Sequence, residues 1–85
     1  MTLRVERSEE GRKPVFQVSG RIGAETLGEL QAAIDGARDC ALDLRHVTLV
    51  DVEGVQFLLG CERRGMELRH CSPFVREWML REQQG

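Results

Sequence analysis

The sequence predicts an α/β (α+β) fold: a four-stranded mixed sheet with about three helices packed on it, in the order β-β-α-β-α-β-α. Three observations lead there. Two segments that alternate apolar and polar residues stand side by side near the amino terminus, with a polar turn between them. The apolar period then lengthens from two to three and four. After that, strand-like and helix-like segments alternate to the end, which implies parallel strand pairs with right-handed crossovers. Eighty-five residues make a single domain, residues 1–85, with no room for a second core.

The first strand is "TLRVE", with Leu3 and Val5 on one face. "SEEGRKP" is a polar turn punctuated by Gly11 and Pro14. "VFQVSG" is the second strand, with Phe16 and Val18 inward and Gln17 outward, so a hairpin is the economical connection. Gly20 and Gly23 break that pattern. From Ala24 a helix is predicted, with Leu27, Leu30, Ala33, Ile34 and Ala37 forming its apolar stripe and Glu25, Glu29, Gln31 and Asp35 facing water. Gly28 and Gly36 weaken it, by about 1 kcal/mol each where they are interior.

"CALDLRHVTLV" begins as a strand apolar on both sides, with Cys40, Leu42 and Leu44 on one face and the small Ala41 on the other. Such a strand lies inside a sheet under a helix. Asp43 is expected near a sheet edge or paired with Arg45, and "HVTLV" leads from the strand to Asp51. From Asp51–Gly54 onward, Val55, Leu58, Leu59 and Glu62 recur at helical spacing, with Phe57 and Cys61 as a neighbouring line. Gly65 ends that helix as its C′ residue. "MELRH" is a short strand with Met66 and Leu68 inward. In "SPFVREWML", Ser72 is an N-cap and Pro73 takes the first helical position, where a missing N–H costs nothing. Phe74 pairs with Trp78 and Val75 with Met79 at i,i+4, Arg76, Glu77 and Arg81 face outward, and "REQQG" is a fraying tail.

Asp51 and Glu53 raise the main chemical question. As N-cap and first-turn acid of a helix, both have a structural explanation. The first accepts an orphan N–H and the second meets the positive end of the helix dipole. Two carboxylates without a histidine, lysine or metal ligand in register make a weak case for catalysis, so no catalytic residue is assigned. His46, Cys61, His70 and Cys71 are the only candidate metal ligands, and adjacent strand residues such as His70 and Cys71 point to opposite faces, so no metal site and no cofactor are expected.

Composition narrows the function further. Both charge signs are interspersed, the net charge is -2, and Arg63-Arg64 is the one adjacent arginine pair, which argues against nucleic acid as a partner. No apolar run approaches the roughly 20 residues of a membrane span, and "MTLRVERSEEGRK" has no apolar leader core, so no membrane insertion and a cytoplasmic location are expected. Three cysteines without CxxC spacing fit reduced, partly buried thiols.

Taken in order, "VSGRIGAETLGELQAAI", "CALDLRHVTLVDVEGVQFLL" and "MELRHCSPFVREWM" resemble the STAS domain family, the fold of anti-sigma-factor antagonists and of sulfate-transporter tails. The resemblance covers about residues 13–80. Its strongest part, "LDLRHVTLVDVEGVQFL", is similar to the family's aliphatic-Asp-Leu, short loop, aliphatic-Asp, two residues, Gly and apolar helix. Family members that act in partner switching carry Asp-Ser-Ser-Gly or Asp-Ser-Thr-Gly at this turn, and the second hydroxyl is phosphorylated by a kinase that is also an anti-sigma factor. Here Asp51 and Gly54 match, but Val52 stands at the first hydroxyl and Glu53 at the phosphoacceptor. The second helix and the end of the chain are also shorter. Some short STAS-like proteins have a similar Asp-x-Glu-Gly turn and a Cys-x-Pro-aromatic-x-Arg-Glu-Trp segment, and this chain resembles those.

The resemblance implies a non-catalytic bacterial protein–protein interaction module, like an anti-sigma-factor antagonist in transcription regulation. It would dock a protein partner, an anti-sigma factor or kinase-like protein, through Asp51, Val52, Glu53, Gly54, Val55 and Leu58. A phosphoserine adds about two charges reversibly, whereas Glu53 carries one permanently, so the turn would be a fixed state and not a switch. Thr48, the one nearby hydroxyl, precedes the aspartate. A homodimer is left open. The alternative is a small STAS subunit of an ABC-type lipid transport complex, docked through Phe74, Trp78 and Met79, although an aromatic i,i+4 pair ordinarily lies in the core.

Overall fold

The alternating segments at the amino terminus form the expected hairpin in the structure, a computed structural model in which residues 3–10, 13–34 and 39–84 are described. The order is β1 (Leu3–Glu10), β2 (Lys13–Ile22), α1 (Leu27–Ile34), β3 (Ala41–Val50), α2 (Val52–Arg63), β4 (Glu67–Arg69) and α3 (Pro73–Gln84). The sheet runs β1-β2-β3-β4. Its first pair is antiparallel and the other two are parallel, so it is mixed as expected. The hairpin strands are longer than "TLRVE" and "VFQVSG", because Ser8, Glu9 and Glu10 pair with Val15, Pro14 and Lys13. Gly11, Asp35, Gly36 and Ala37, read above as turn or helix residues, lie outside the described residues.

Strand β3 corrects the sequence reading most. It continues through "HVTLV" to Val50 and does not stop at Arg45. Strict alternation would turn Val47 outward. Instead, β3 uses one more residue than β2 between the pairs Gln17–Asp43 and Ser19–His46, and one more between Gly20–Val47 and Arg21–Leu49. Each extra residue is a bulge that flips the alternation. The inward residues therefore step Leu42, Leu44, Val47, Val50, with Leu42, Val47 and Val50 opposite Phe16, Gly20 and Ile22. A simple two-residue period cannot be read through that stretch. Asp43 lies mid-sheet, paired in register with Gln17 and Arg69, and not at an edge. Its Oδ1 accepts the Arg45 backbone N–H at 3.0 Å.

Helices cover the core-facing side. Helix α1 starts at Leu27, three residues later than read, because the Gly23 carbonyl accepts both the Thr26 and Leu27 N–H (2.9 Å each) in a turn that precedes it. Leu30 and Ile34 are buried; Ala33, placed in the apolar stripe above, is exposed. Each such buried aliphatic side chain contributes about 1.5–3 kcal/mol, which outweighs the cost of about 1 kcal/mol from Gly28. Helix α2 buries Val55, Phe57, Leu58, Leu59 and Cys61. It ends as read: Gly65 has φ 90°, its N–H donates to the Glu62 carbonyl (3.0 Å), and the Met66 N–H donates to that of Cys61 (3.0 Å). This is the Schellman pattern.

After β4, His70 turns the chain with φ 57°. Its Nε2 lies 2.9 Å from Arg45 Nη2; a guanidinium can only donate, so this nitrogen accepts. Ser72 caps α3 through a hydrogen bond from the Val75 N–H to its Oγ (3.2 Å). Helix α3 runs on to Gln84, so the segment read as a fraying tail is helical; Arg81, Glu82, Gln83 and Gln84 are all good helix formers. Met79 is buried against the core, and Arg76, read as outward, is half-buried in an ion pair with Glu62 at 2.8 Å. At that exposure the pair is worth no more than about 1 kcal/mol. Among the described residues, no helix is long and apolar enough to cross a membrane.

Candidate functional site

The second bulge in β3 sets up the turn at 51–54. It leaves Leu49 outside, 49% exposed, and Val50 inside, so the strand delivers Asp51 facing the end of β2. Asp51 has extended backbone, φ -100°, as an N-cap requires. Its N–H donates to the Ile22 carbonyl at 3.2 Å. Oδ1 accepts the Gly54 N–H at 2.9 Å, and Oδ2 accepts the Ala24 N–H at 3.2 Å. One carboxylate thus caps α2 and ties it to a turn 27 residues earlier in the chain.

Two glycines make this approach possible. A Cβ on Gly54 would land on the Ile22 carbonyl oxygen and lie 2.9 Å from Val50 Cγ1, and one on Gly23 would strike the Asp51 carboxylate. The Ala24 turn is itself pinned by Thr26, the buried hydroxyl of the core. Its Oγ1 donates to the Arg21 carbonyl (2.8 Å) and accepts the Gly23 N–H (3.0 Å). Gly23, Ala24 and Thr26 were not singled out from the sequence as site residues. The signal present was Gly23 followed three residues later by threonine, placed after a strand.

The chemistry rests on these contacts. The Gly54 N–H above all, then the Ala24 N–H and the positive charge of Arg21, hold the Asp51 carboxyl below the usual aspartate range, despite the opposing effect of desolvation. A carboxylate kept ionised with both oxygens engaged is a poor proton acceptor.

The six residues expected to meet a partner separate into two sets. Val52, 45% exposed, and Glu53 are at the surface, with Gln56 one turn on. Asp51 is half-buried. Gly54, Val55 and Leu58 are buried, which corrects their assignment to the docking face: the apolar spacing that reveals the helix marks its inner side. Among the described residues Glu53 has no ion-pair partner. The Thr48 hydroxyl donates to the Gly20 carbonyl at 3.1 Å. Also among the described residues, no group of three or more His, Cys, Asp or Glu is placed to hold a metal ion.

Comparison with known proteins now settles the family. A family model described as "Mlab, STAS domain" matches residues 5–81. The chain belongs to the STAS domain family. This STAS domain is similar in fold to the anti-sigma-factor antagonist SpoIIAA in its unphosphorylated form. The likeness has a TM-score of 0.69 and 17% identity, and covers 91% of this chain and 82% of that one. It is also similar to an antisigma-factor antagonist STAS domain from Rhodobacter sphaeroides, with a TM-score of 0.59 and 24% identity over 84% of this chain and 92% of that one. No match was found among curated proteins.

Proposed function

We propose that this STAS domain is a non-catalytic, cytoplasmic docking module that engages a protein partner through Val52, Glu53 and Gln56 at the start of α2. The observation that carries the reading is the division of labour in the turn. Asp51 spends both carboxylate oxygens inside the chain, while the neighbouring Val52 and Glu53 stay exposed. An apolar side chain beside a permanent negative charge at a helix start suits a partner with an apolar pocket rimmed by arginine or lysine. By likeness to the antagonist SpoIIAA, the partner would be an anti-sigma factor or kinase-like protein. Glu53 stands where the family's switching members carry a phosphorylated hydroxyl, so docking here would be constitutive.

Affinity capture from the source cell with wild type, Glu53→Ser and Glu53→Lys tests this. The reading expects a partner retained by wild type, weakened by the serine and lost with the lysine, all three proteins folding alike. Equal capture by all three overturns it.

A second reading is favoured by the same fixed charge. A small subunit of an ABC-type lipid transport assembly needs no switch, and a permanently charged, partly apolar turn suits a permanent complex. Copurification with an ATPase subunit in place of a kinase-like protein would select it.

A further inference from the structure

Helix α3 has an outer side that no other described residue covers. Its inner side holds Met79, half-buried Val75 and the Arg76–Glu62 ion pair. At 100° per residue, Phe74, Glu77 and Arg81 fall within an arc of about 60° on the other side, with Trp78 at its edge, half-buried against the core. Phe74 is 69% exposed, and Leu80 at the flank is 51% exposed. The Phe74 and Trp78 rings meet edge to face, with centroids 6.4 Å apart. Contrary to the usual place of an i,i+4 aromatic pair, the phenylalanine stands in solvent and leaves an open cleft of about 310 Å³ lined by Phe74, Trp78, Arg81 and Glu82. Glu77 and Arg81 are exposed, and among the described residues neither is in an ion pair.

We propose that the outer face of α3 is a two-fold self-association surface, on which α3 of a second copy of this chain packs antiparallel. The charge pattern selects this occupant. In an antiparallel two-fold pair centred at the level of Met79, position 77 of one copy lies opposite position 81 of the other. Glu77 then faces the partner's Arg81 and Arg81 faces the partner's Glu77, so one pair of residues satisfies both ends of the interface. Such self-complementarity is what an isologous contact demands. A face of one charge sign would have called for a different molecule of the opposite sign. The same operation keeps the aromatic edge on one side of the contact. It brings the partner's Phe74 past the edge of Trp78, toward the open cleft. A 12-residue helix is only about 18 Å long, so the contact is smaller than a standard interface and the association is weak and reversible. This surface is distinct from the turn at 51–54, so its failure would leave the docking reading standing.

Sedimentation of the whole chain from about 10 µM to about 1 mM tests the proposal. The expectation is a concentration-dependent monomer–dimer equilibrium that weakens with salt. Glu77→Arg alone and Arg81→Glu alone become monomeric, because each places like charges opposite one another. An equimolar mixture of the two variants regains the mass of a dimer, since every charge again meets its opposite. Phe74→Ala weakens dimerisation at least tenfold. All three variants keep the wild-type circular dichroism, the changed side chains being at the surface. A wild type that stays monomeric throughout, single reversals that dimerise like wild type, or a mixture of folded variants that fails to associate would each overturn it. So would loss of a different captured protein in Phe74→Ala without any self-association.

Discussion

Two helices of this domain begin in the same way on paper and differently in space. Asp51 and Ser72 are both polar N-cap residues accepting an N–H three residues on, at 2.9 Å in α2 and 3.2 Å in α3. The serine bond is exposed and local. The aspartate has a second oxygen, and it uses that oxygen to hold the Ala24 N–H across the chain. A capping motif therefore specifies that a helix starts, whereas the number of acceptors on the cap, and what lies opposite, determine whether that start becomes a tertiary junction.

The contrast can be broken hardest at the glycines. Gly54→Ala drives a Cβ into the Ile22 carbonyl, a backbone atom with little freedom to retreat. Overpacking of this kind costs about 1–3 kcal/mol or more, so the melting temperature should fall by at least roughly 10 °C. Next comes the pair of cap deletions. Asp51→Ala should lower the melting temperature by roughly 5–10 °C, and Ser72→Ala by about half as much. Equal losses would mean that the Ala24 bond contributes nothing. Thermal unfolding followed by circular dichroism reads all three.

Acid should then narrow the gap. The Asp51 carboxyl lies below its ordinary value in the folded chain, so its contribution is present above the unfolded value, about 3.9, and is lost as pH falls through the lower folded one. Glu67 is shifted the same way by its hydrogen bond from Lys13 and by Arg69, so wild type keeps some acid sensitivity from elsewhere. The difference between wild type and Asp51→Ala should shrink below about pH 4, while that for Ser72→Ala stays flat. The smallest effect is a gain. Gly28 lies inside α1 with open space around it, so Gly28→Ala should raise the melting temperature by a few degrees, the reverse of Gly54→Ala.

Much of this architecture was legible because local rules agreed with the fold. The cap at Asp51, the terminator at Gly65 and the cap and proline at Ser72-Pro73 all stand where their chemistry placed them. The apolar stripe of α2 was likewise visible from spacing. What escaped were features made by two segments at once. The bulges in β3 exist only relative to β2, so "HVTLV" read only as a lead from the strand to Asp51. The Gly23–Thr26 turn matters because Asp51 arrives opposite it, and no local period reports that. Val55 and Leu58 were assigned to the wrong side of their helix for a related reason: apolar spacing identifies an amphipathic helix before it identifies which stripe remains free. Phe74 shows the converse. Its i,i+4 partner suggested burial, yet the core was already filled by Met79 one turn along, and the ring was left outside.

Amide hydrogen exchange at Ala24 tests most directly whether a single carboxylate joins the start of α2 to the β2–α1 turn. In wild type, Ala24 should be protected although it lies in an exposed turn, and Asp51→Ala should release Ala24 and Gly54 together while the Ile22 and Leu30 amides stay slow. An Ala24 amide that exchanges freely in wild type, or one whose protection survives the loss of Asp51, would contradict the account.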